Sequence, residues 1–134
     1  MNRNAADSIL NVADSILNVA DSILIVDDAP RVCALVARSL ADLPYRMITA
    51  DSVQTGLKAL LDIELIRMVV VDFGLPDGTG LEIIEAARKL KPGLPALLMS
   101  GYYVGEADVD FIQKPFDPLD LYCRVEALAG YSAT

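Results

Sequence analysis

Asp72 closes an apolar run, Met68-Val69-Val70-Val71, and opens a turn-rich stretch, Phe73-Gly74-Leu75-Pro76-Asp77-Gly78-Thr79-Gly80. A strand of that composition delivers a carboxylate to its C-terminal end, where chemistry sits in open α/β sheets. Three more segments share the arrangement. Ser22 to Val26 ends in Asp27-Asp28, Pro95 to Met99 in Ser100-Gly101, and Asp110 to Gln113 in Lys114-Pro115. Three acids, one hydroxyl and one ammonium are thus expected at a single sheet edge. A carboxylate can accept a phosphoryl group if the charge around it is neutralised, and phosphoryl transfer is mostly positioning and electrostatics. Facing carboxylates repel one another unless a cation sits among them. Mg²⁺ suits the task, being hard, octahedral and satisfied by a few carboxylates, waters and phosphate oxygens.

Strand and helix patterns alternate along the chain, which predicts a parallel sheet covered on both faces. After the first strand, Pro30 suits a first helical turn, and Val32, Leu35, Val36 and Leu40 recur at helical spacing to about Leu43. Tyr45 to Ala50 reads as the second strand. Asp51 or Ser52 caps the next helix, with Val53, Leu57, Leu60 and Leu61 on one face. Ile66 to Val71 is the central strand, Gly80 to Leu90 the third helix, Ala96 to Met99 the fourth strand and Phe111 to Gln113 the fifth. Pro118 opens the last helix, with Leu121, Tyr122, Val125 and Leu128 inward. Between Ser100 and Lys114 the chain has room for about one to two helical turns.

These residues, in this order, resemble the receiver domain of two-component response regulators. The resemblance covers roughly residues 22–130 and rests on Asp27-Asp28, Asp72 before Leu75-Pro76-Asp77-Gly78-Thr79-Gly80, Ser100-Gly101 and Lys114-Pro115-Phe116. It implies a doubly wound, flavodoxin/CheY-like sheet of five parallel strands in the order 2-1-3-4-5, here with a shortened or missing fourth helix. It implies that Asp72 is the phosphoacceptor. Asp28, Asp72 and the Gly74 carbonyl would bind Mg²⁺ directly, with Asp27 acting through water. Lys114 and Ser100 would bind phosphoryl oxygens, and Ser100 with Phe111 would form the switch. The Lys114-Pro115 bond would be cis. The expected partners are a histidine kinase or histidine phosphotransferase and an output protein that the sequence does not identify. The family's usual output surface includes the fourth helix, so its shortening puts a standard output mode in doubt.

Plainer roles stand beside these. Asp27 has an alternative as a cap for the first helix, Ser100 as a turn residue, Phe111 as core, and Asp77 as the residue that closes a turn with Gly78. Gly74 puts no side chain over a phosphoryl group, whereas Tyr102 could cover it. Two competing functions are a receiver-like interaction module that is never phosphorylated and a phosphatase with an aspartyl nucleophile. The complete acid, hydroxyl and lysine set argues against the first. Gly74 argues against the second, because such enzymes carry a second Asp there. Enzymatic activity is at most self-catalysed phosphoryl transfer to Asp72 and slow autodephosphorylation.

The chain has 134 residues, 54% of them apolar, and a net charge of −8. That is ample for one core, and the charge argues against nucleic acid and anionic membrane as partners. No apolar run approaches a membrane span. Asp7, Asp14 and Asp21 interrupt the N-terminal segment, so no signal peptide is expected and the reading is cytoplasmic. Cys33 and Cys123 are read as small buried hydrophobes kept reduced, with no disulfide, and the absence of His disfavours a transition-metal site. The chain ends shortly after the last helix, as expected of a stand-alone receiver or of one excised from a longer protein.

Residues 6–12, 13–19 and 20–26 read ADSILNV, ADSILNV and ADSILIV. The third copy is the first strand, which divides the chain into an N-terminal extension, 1–19, and a receiver domain, 20–134. The first two copies read equally as a spare tail, as an amphipathic helix with Ile9, Val12, Ala13, Ile16, Val19 and Ala20 on one side, or as an extra strand. Their exposed aliphatics offer a route to a homo-oligomer.

Overall fold

The computed structural model describes residues 21–63, 65–102 and 108–130. The N-terminal extension, including the two extra heptads, lies outside the described residues. Five parallel strands form the main sheet: β1 (Ser22–Val26), β2 (Arg46–Ala50), β3 (Ile66–Asp72), β4 (Ala96–Ser100) and β5 (Asp110–Gln113). Their spatial order is β2-β1-β3-β4-β5, as the resemblance implied. Four helices connect them: α1 (Pro30–Ser39), α2 (Val53–Asp62), α3 (Gly80–Leu90) and α4 (Pro118–Ala129). A two-stranded ribbon, Gly74–Leu75 against Gly78–Thr79, stands between β3 and α3.

Side chains alternate across a strand, and here both faces are dry. Leu24 and Val26 of β1, Val69 and Val71 of β3, and Ala96 and Leu98 of β4 pack with Val53, Leu60, Ile83, Ile84 and Ala87 of α2 and α3. Ile23 and Ile25, Met68 and Val70, and Leu97 and Met99 point the other way, against Cys33, Val36, Leu121 and Val125 of α1 and α4. Burial on both faces is why the inner strands read as continuous apolar runs.

The helices start where their caps dictate. The Ser52 hydroxyl accepts the Thr55 N–H at 3.0 Å and begins α2. The Glu82 carboxylate accepts the Thr79 N–H at 2.9 Å and begins α3. Asp117 accepts the Leu119 N–H at 2.9 Å and begins α4 behind Pro118. One boundary differs from the sequence reading. α1 stops at Ser39, not near Leu43. Pro44 disfavours helical backbone at Leu43, and the chain leaves through turns in which Leu40 and Leu43 nevertheless stay buried.

Among the described residues there are four helices, which fits a shortened fourth one. Gly101, Tyr102, Asp108 and Val109 belong to no helix, and residues 103–107 lie outside the described residues. That part of the expected output segment therefore lies outside them too.

Candidate functional site

Four strand ends build the site. β1 ends at Val26, and the next residue, Asp27, is 1% exposed. Its backbone N–H donates to the Ala50 carbonyl at 3.1 Å, which ties it to the end of β2. Its carboxylate has two protein partners: the Ala29 N–H at 2.9 Å and the Lys114 ammonium at 2.5 Å. Asp27 therefore organises the turn before α1 and anchors the lysine together; the N-cap residue itself is Ala29. Asp28 is exposed.

Asp72 ends β3, with its side chain 14% exposed, and Lys114 reaches it at 3.1 Å. Lys114 thus bridges two of the three acids. Asp27, Asp28 and Asp72 each place a carboxylate oxygen within 4.8 Å of the others. Three hard oxygen donors so close together, only one of them fully buried, fit a divalent cation of the Mg²⁺ type. Gly74 stands in the ribbon two residues beyond Asp72. A Cβ there would meet nothing within 4 Å, so its backbone faces open space.

Charge crowding shows in the proton affinities. Burial, then the negative charges of Asp27 and Asp28, raise the Asp72 carboxyl above its ordinary value, although the Lys114 hydrogen bond opposes them. Burial works against the Lys114 charge, but its bonds to Asp27 and Asp72 outweigh that and raise its affinity for the proton. Lys114 is therefore firmly cationic, and Asp72 is a carboxylate with one cation too few.

Ser100 ends β4 and is 3% exposed. Its hydroxyl accepts the Tyr102 N–H at 3.2 Å, and its carbonyl accepts the Lys114 N–H at 2.7 Å. The strand pairing of β4 and β5 thus ties the hydroxyl and the ammonium to one backbone frame. Lys114-Pro115 is cis. Phe111 lies on β5 opposite Leu98, half-buried, one residue before Ile112, which faces the α1/α4 side.

Four features escaped the sequence reading. Asp77 does more than close its turn: its carboxylate accepts the N–H groups of Val53 at 2.7 Å and Gln54 at 3.0 Å and so caps α2 from the ribbon. Those two bonds hold its carboxyl below the usual carboxylate range. Gly80 packs its Cα against the Asp72 carbonyl, leaving no room for a Cβ. The Phe73 and Tyr102 rings meet edge to face, with centroids 6.2 Å apart, beside Asp72 and Ser100. The Cys33 thiol donates to the Asp27 carbonyl at 3.3 Å, and burial raises its pKa, so it packs rather than reacts. Both thiols are free; Cys33 is buried as expected, whereas Cys123, also read as buried, is exposed on α4. Of these features, only Gly80 left a trace in the sequence, as the glycine directly after the capping Thr79.

The model of the response regulator receiver domain matches residues 23–126. The chain is 30% identical over 103 residues to the photosynthetic apparatus regulatory protein RegA of Rhodobacter capsulatus, covering 71% of this chain and 55% of that protein. It is 25% identical over 115 residues to the transcriptional regulatory protein GlrR of Escherichia coli, covering 80% of this chain and 26% of that protein. It thus spans from about a quarter to about half the length of these relatives. Among solved structures, a CheY-like receiver domain protein from Methanospirillum hungatei superposes with a TM-score of 0.74 at 28% identity, covering 83% of this chain and 94% of that one.

Proposed function

The chain belongs to the response regulator receiver family of two-component signalling, and we propose that Asp72 takes a phosphoryl group from a phosphohistidine on a partner kinase or phosphotransferase. Receiver domains bind Mg²⁺ at an acidic pocket; in this chain Asp27, Asp28, Asp72 and the Gly74 carbonyl would hold it. Bound there, the cation supplies positive charge to the three carboxylates and to the incoming phosphoryl oxygens.

The chain's own residues do the rest. An Asp72 oxygen forms the new P–O bond as the P–N bond of the donor breaks, and the electron pair leaves with the imidazole. Lys114 gives up its 3.1 Å contact with Asp72 and pairs with a phosphoryl oxygen, while Asp27 keeps hold of it. The Ser100 hydroxyl releases the Tyr102 N–H and donates to a second phosphoryl oxygen. Movement of Ser100 pulls on the segment that begins at Gly101, and Phe111 on the neighbouring strand is the residue we assign to follow it. The changed surface then binds an output partner. Water attack on the acyl phosphate returns Asp72 to the carboxylate.

The observation that carries this reading is the Lys114 bridge from buried Asp27 to Asp72, with Asp28 within reach of both. A receiver-like module that takes no phosphoryl group has no use for so costly a concentration of charge. Incubation with acetyl phosphate and Mg²⁺ should add one phosphoryl group to the intact mass, and chelation of Mg²⁺ or Asp72→Asn should abolish it. Undiminished labelling of Asp72→Asn would end the assignment.

A further inference from the structure

We propose that the outer face of α2 and α3 is a self-association surface, on which a second copy of this chain packs about a two-fold axis that crosses both helices near Leu60 and Ala87.

The face is apolar at its centre. Three of the large apolar side chains left exposed in the described fold gather there: Leu61 at 74%, Leu90 at 58% and Leu65 at 40%. Two adjoining hollows run beneath them, of about 260 and 150 Å³, sharing Leu60 and Leu90 in their walls. Scattered surface leucines are ordinary, but a contiguous patch marks an interaction surface.

Charge selects the occupant. The chain carries a net charge of −8, which sets copies against one another at long range. The face of α2 and α3 is free of that excess. Between them the two helices hold three basic residues, Lys58, Arg88 and Lys89, and three acidic ones, Asp62, Glu82 and Glu85. The acid cluster lies at the other end of the strands, so a copy docked here approaches where repulsion is least.

The order of the charges matters more than their sum. Lys58 pairs with Asp62 at 2.7 Å and Lys89 with Glu85 at 3.4 Å, each pair along its own helix and each side chain more than half exposed. A two-fold axis perpendicular to a helix runs the second copy's helix antiparallel to the first. A residue just before the axis then faces the residue equally far beyond it. An axis at Leu60 sets Lys58 against Asp62 of the second copy, and an axis at Ala87 sets Glu85 against Lys89 of the second copy. Leu60 and Ala87 wall the same hollow, and α2 and α3 run side by side, so one axis serves both. Every one of these four charges meets its opposite. The apolar residues obey the same symmetry: Leu57 with Leu61, and Ala86 with Leu90, are centred within one residue of that axis, about 1.5 Å along a helix. Self-complementarity of this kind is what a two-fold contact demands, and a foreign partner has no need of it. Exposed pairs within a helix contribute little, so exchanging them between copies costs little. The buried leucines supply the affinity and the charges fix the register.

The test uses the full chain in sedimentation equilibrium from micromolar to millimolar concentration. Wild type should pass from monomer toward dimer and no further, because a two-fold contact closes on itself. Lys58→Glu leaves only acidic groups where the two copies of α2 cross, and Asp62→Lys only basic ones. Each variant alone should therefore associate about tenfold more weakly. An equimolar mixture of the two should recover the wild-type association, since every acidic group then faces a basic one. Both side chains are exposed, so neither change disturbs the core. Leu61→Ser should weaken wild-type pairing by removing its most exposed leucine. A wild-type chain that stays monomeric at every concentration would overturn the proposal. So would undiminished association of either charge variant alone, which places the contact on another part of the chain, or a mixture that associates no better than its parts.

Discussion

Gly80→Ala adds one methyl group and should cripple the site from behind. Gly80 opens α3, and its N–H donates to the Phe73 carbonyl at 2.9 Å. A Cβ there would stand inside contact distance of the Asp72 carbonyl oxygen and 2.9 Å from a Val71 methyl. Comfortable separations lie near 3.5 Å, so α3 and the end of β3 must part by roughly 1 Å. Overpacking of this kind costs about 1–3 kcal/mol, whereas replacing glycine by alanine in a helix gains up to about 1 kcal/mol. The steric term wins because the obstacle is backbone, which cannot rotate aside. We expect a net loss of about 1–2 kcal/mol in urea unfolding. Displacing the reacting carboxylate by about 1 Å should slow acetyl phosphate labelling about 100-fold. Gly56→Ala is the comparison. Its Cβ meets the Ile83 Cδ1 at 2.7 Å and a Val26 methyl at 3.3 Å, the ends of side chains rather than backbone. That variant should label at the wild-type rate. If Gly80→Ala is as stable as wild type and labels as fast, the close approach of α3 does not position Asp72.

Lys114→Met leaves the Asp27 carboxylate, 1% exposed, without its cation; breaking such a pair should cost about 3 kcal/mol in urea unfolding, and adding Asp27→Asn should recover part of it. The raised Asp72 carboxyl has a sign that can be tested. The folded state binds its proton more tightly than the unfolded state, so in Mg²⁺-free buffer stability is fullest below the ordinary Asp value and falls as pH rises through the elevated one. Urea midpoints taken from pH 3 upward should show that fall in wild type, and it should be weaker in Asp72→Asn; equal profiles would refute it. Asp77→Ala removes both acceptors at the start of α2, so amide exchange at Val53 and Gln54 should quicken while one phosphoryl group is still gained; unchanged exchange would mean the ribbon does not hold the helix.

How much of this was legible depended on where each cause lies. The five strands could be read because short apolar runs alternating with helical spacing are local patterns, four of them ending in Asp27, Asp72, Ser100 and Lys114; their order came from the resemblance those ends carry. The convergence of the site residues followed from their common place at strand ends together with that order. The partners of Asp77 could not be read, because Val53 and Gln54 lie 24 and 23 residues away and nothing near Asp77 requires them. The same holds for Gly80, whose need to be glycine is set by a carbonyl across the β3–α3 junction. Lys114 was placed near the acids, but its choice of Asp27 as the firmer partner reflects burial, which a sequence does not print. The end of α1 was misplaced because Leu40 and Leu43 keep helical spacing after the helical backbone has stopped.

The ribbon between β3 and α3 carries two loads at once. Its first residues follow the phosphoacceptor, and its Asp77 grips the start of α2. A loop with one duty can drift in length over evolution, but this one is measured at both ends. An inserted residue between Leu75 and Gly78 would have to lift the carboxylate off Val53 or tilt the strand end that carries Asp72. Grafted tags, permuted termini and affinity handles belong elsewhere on this scaffold.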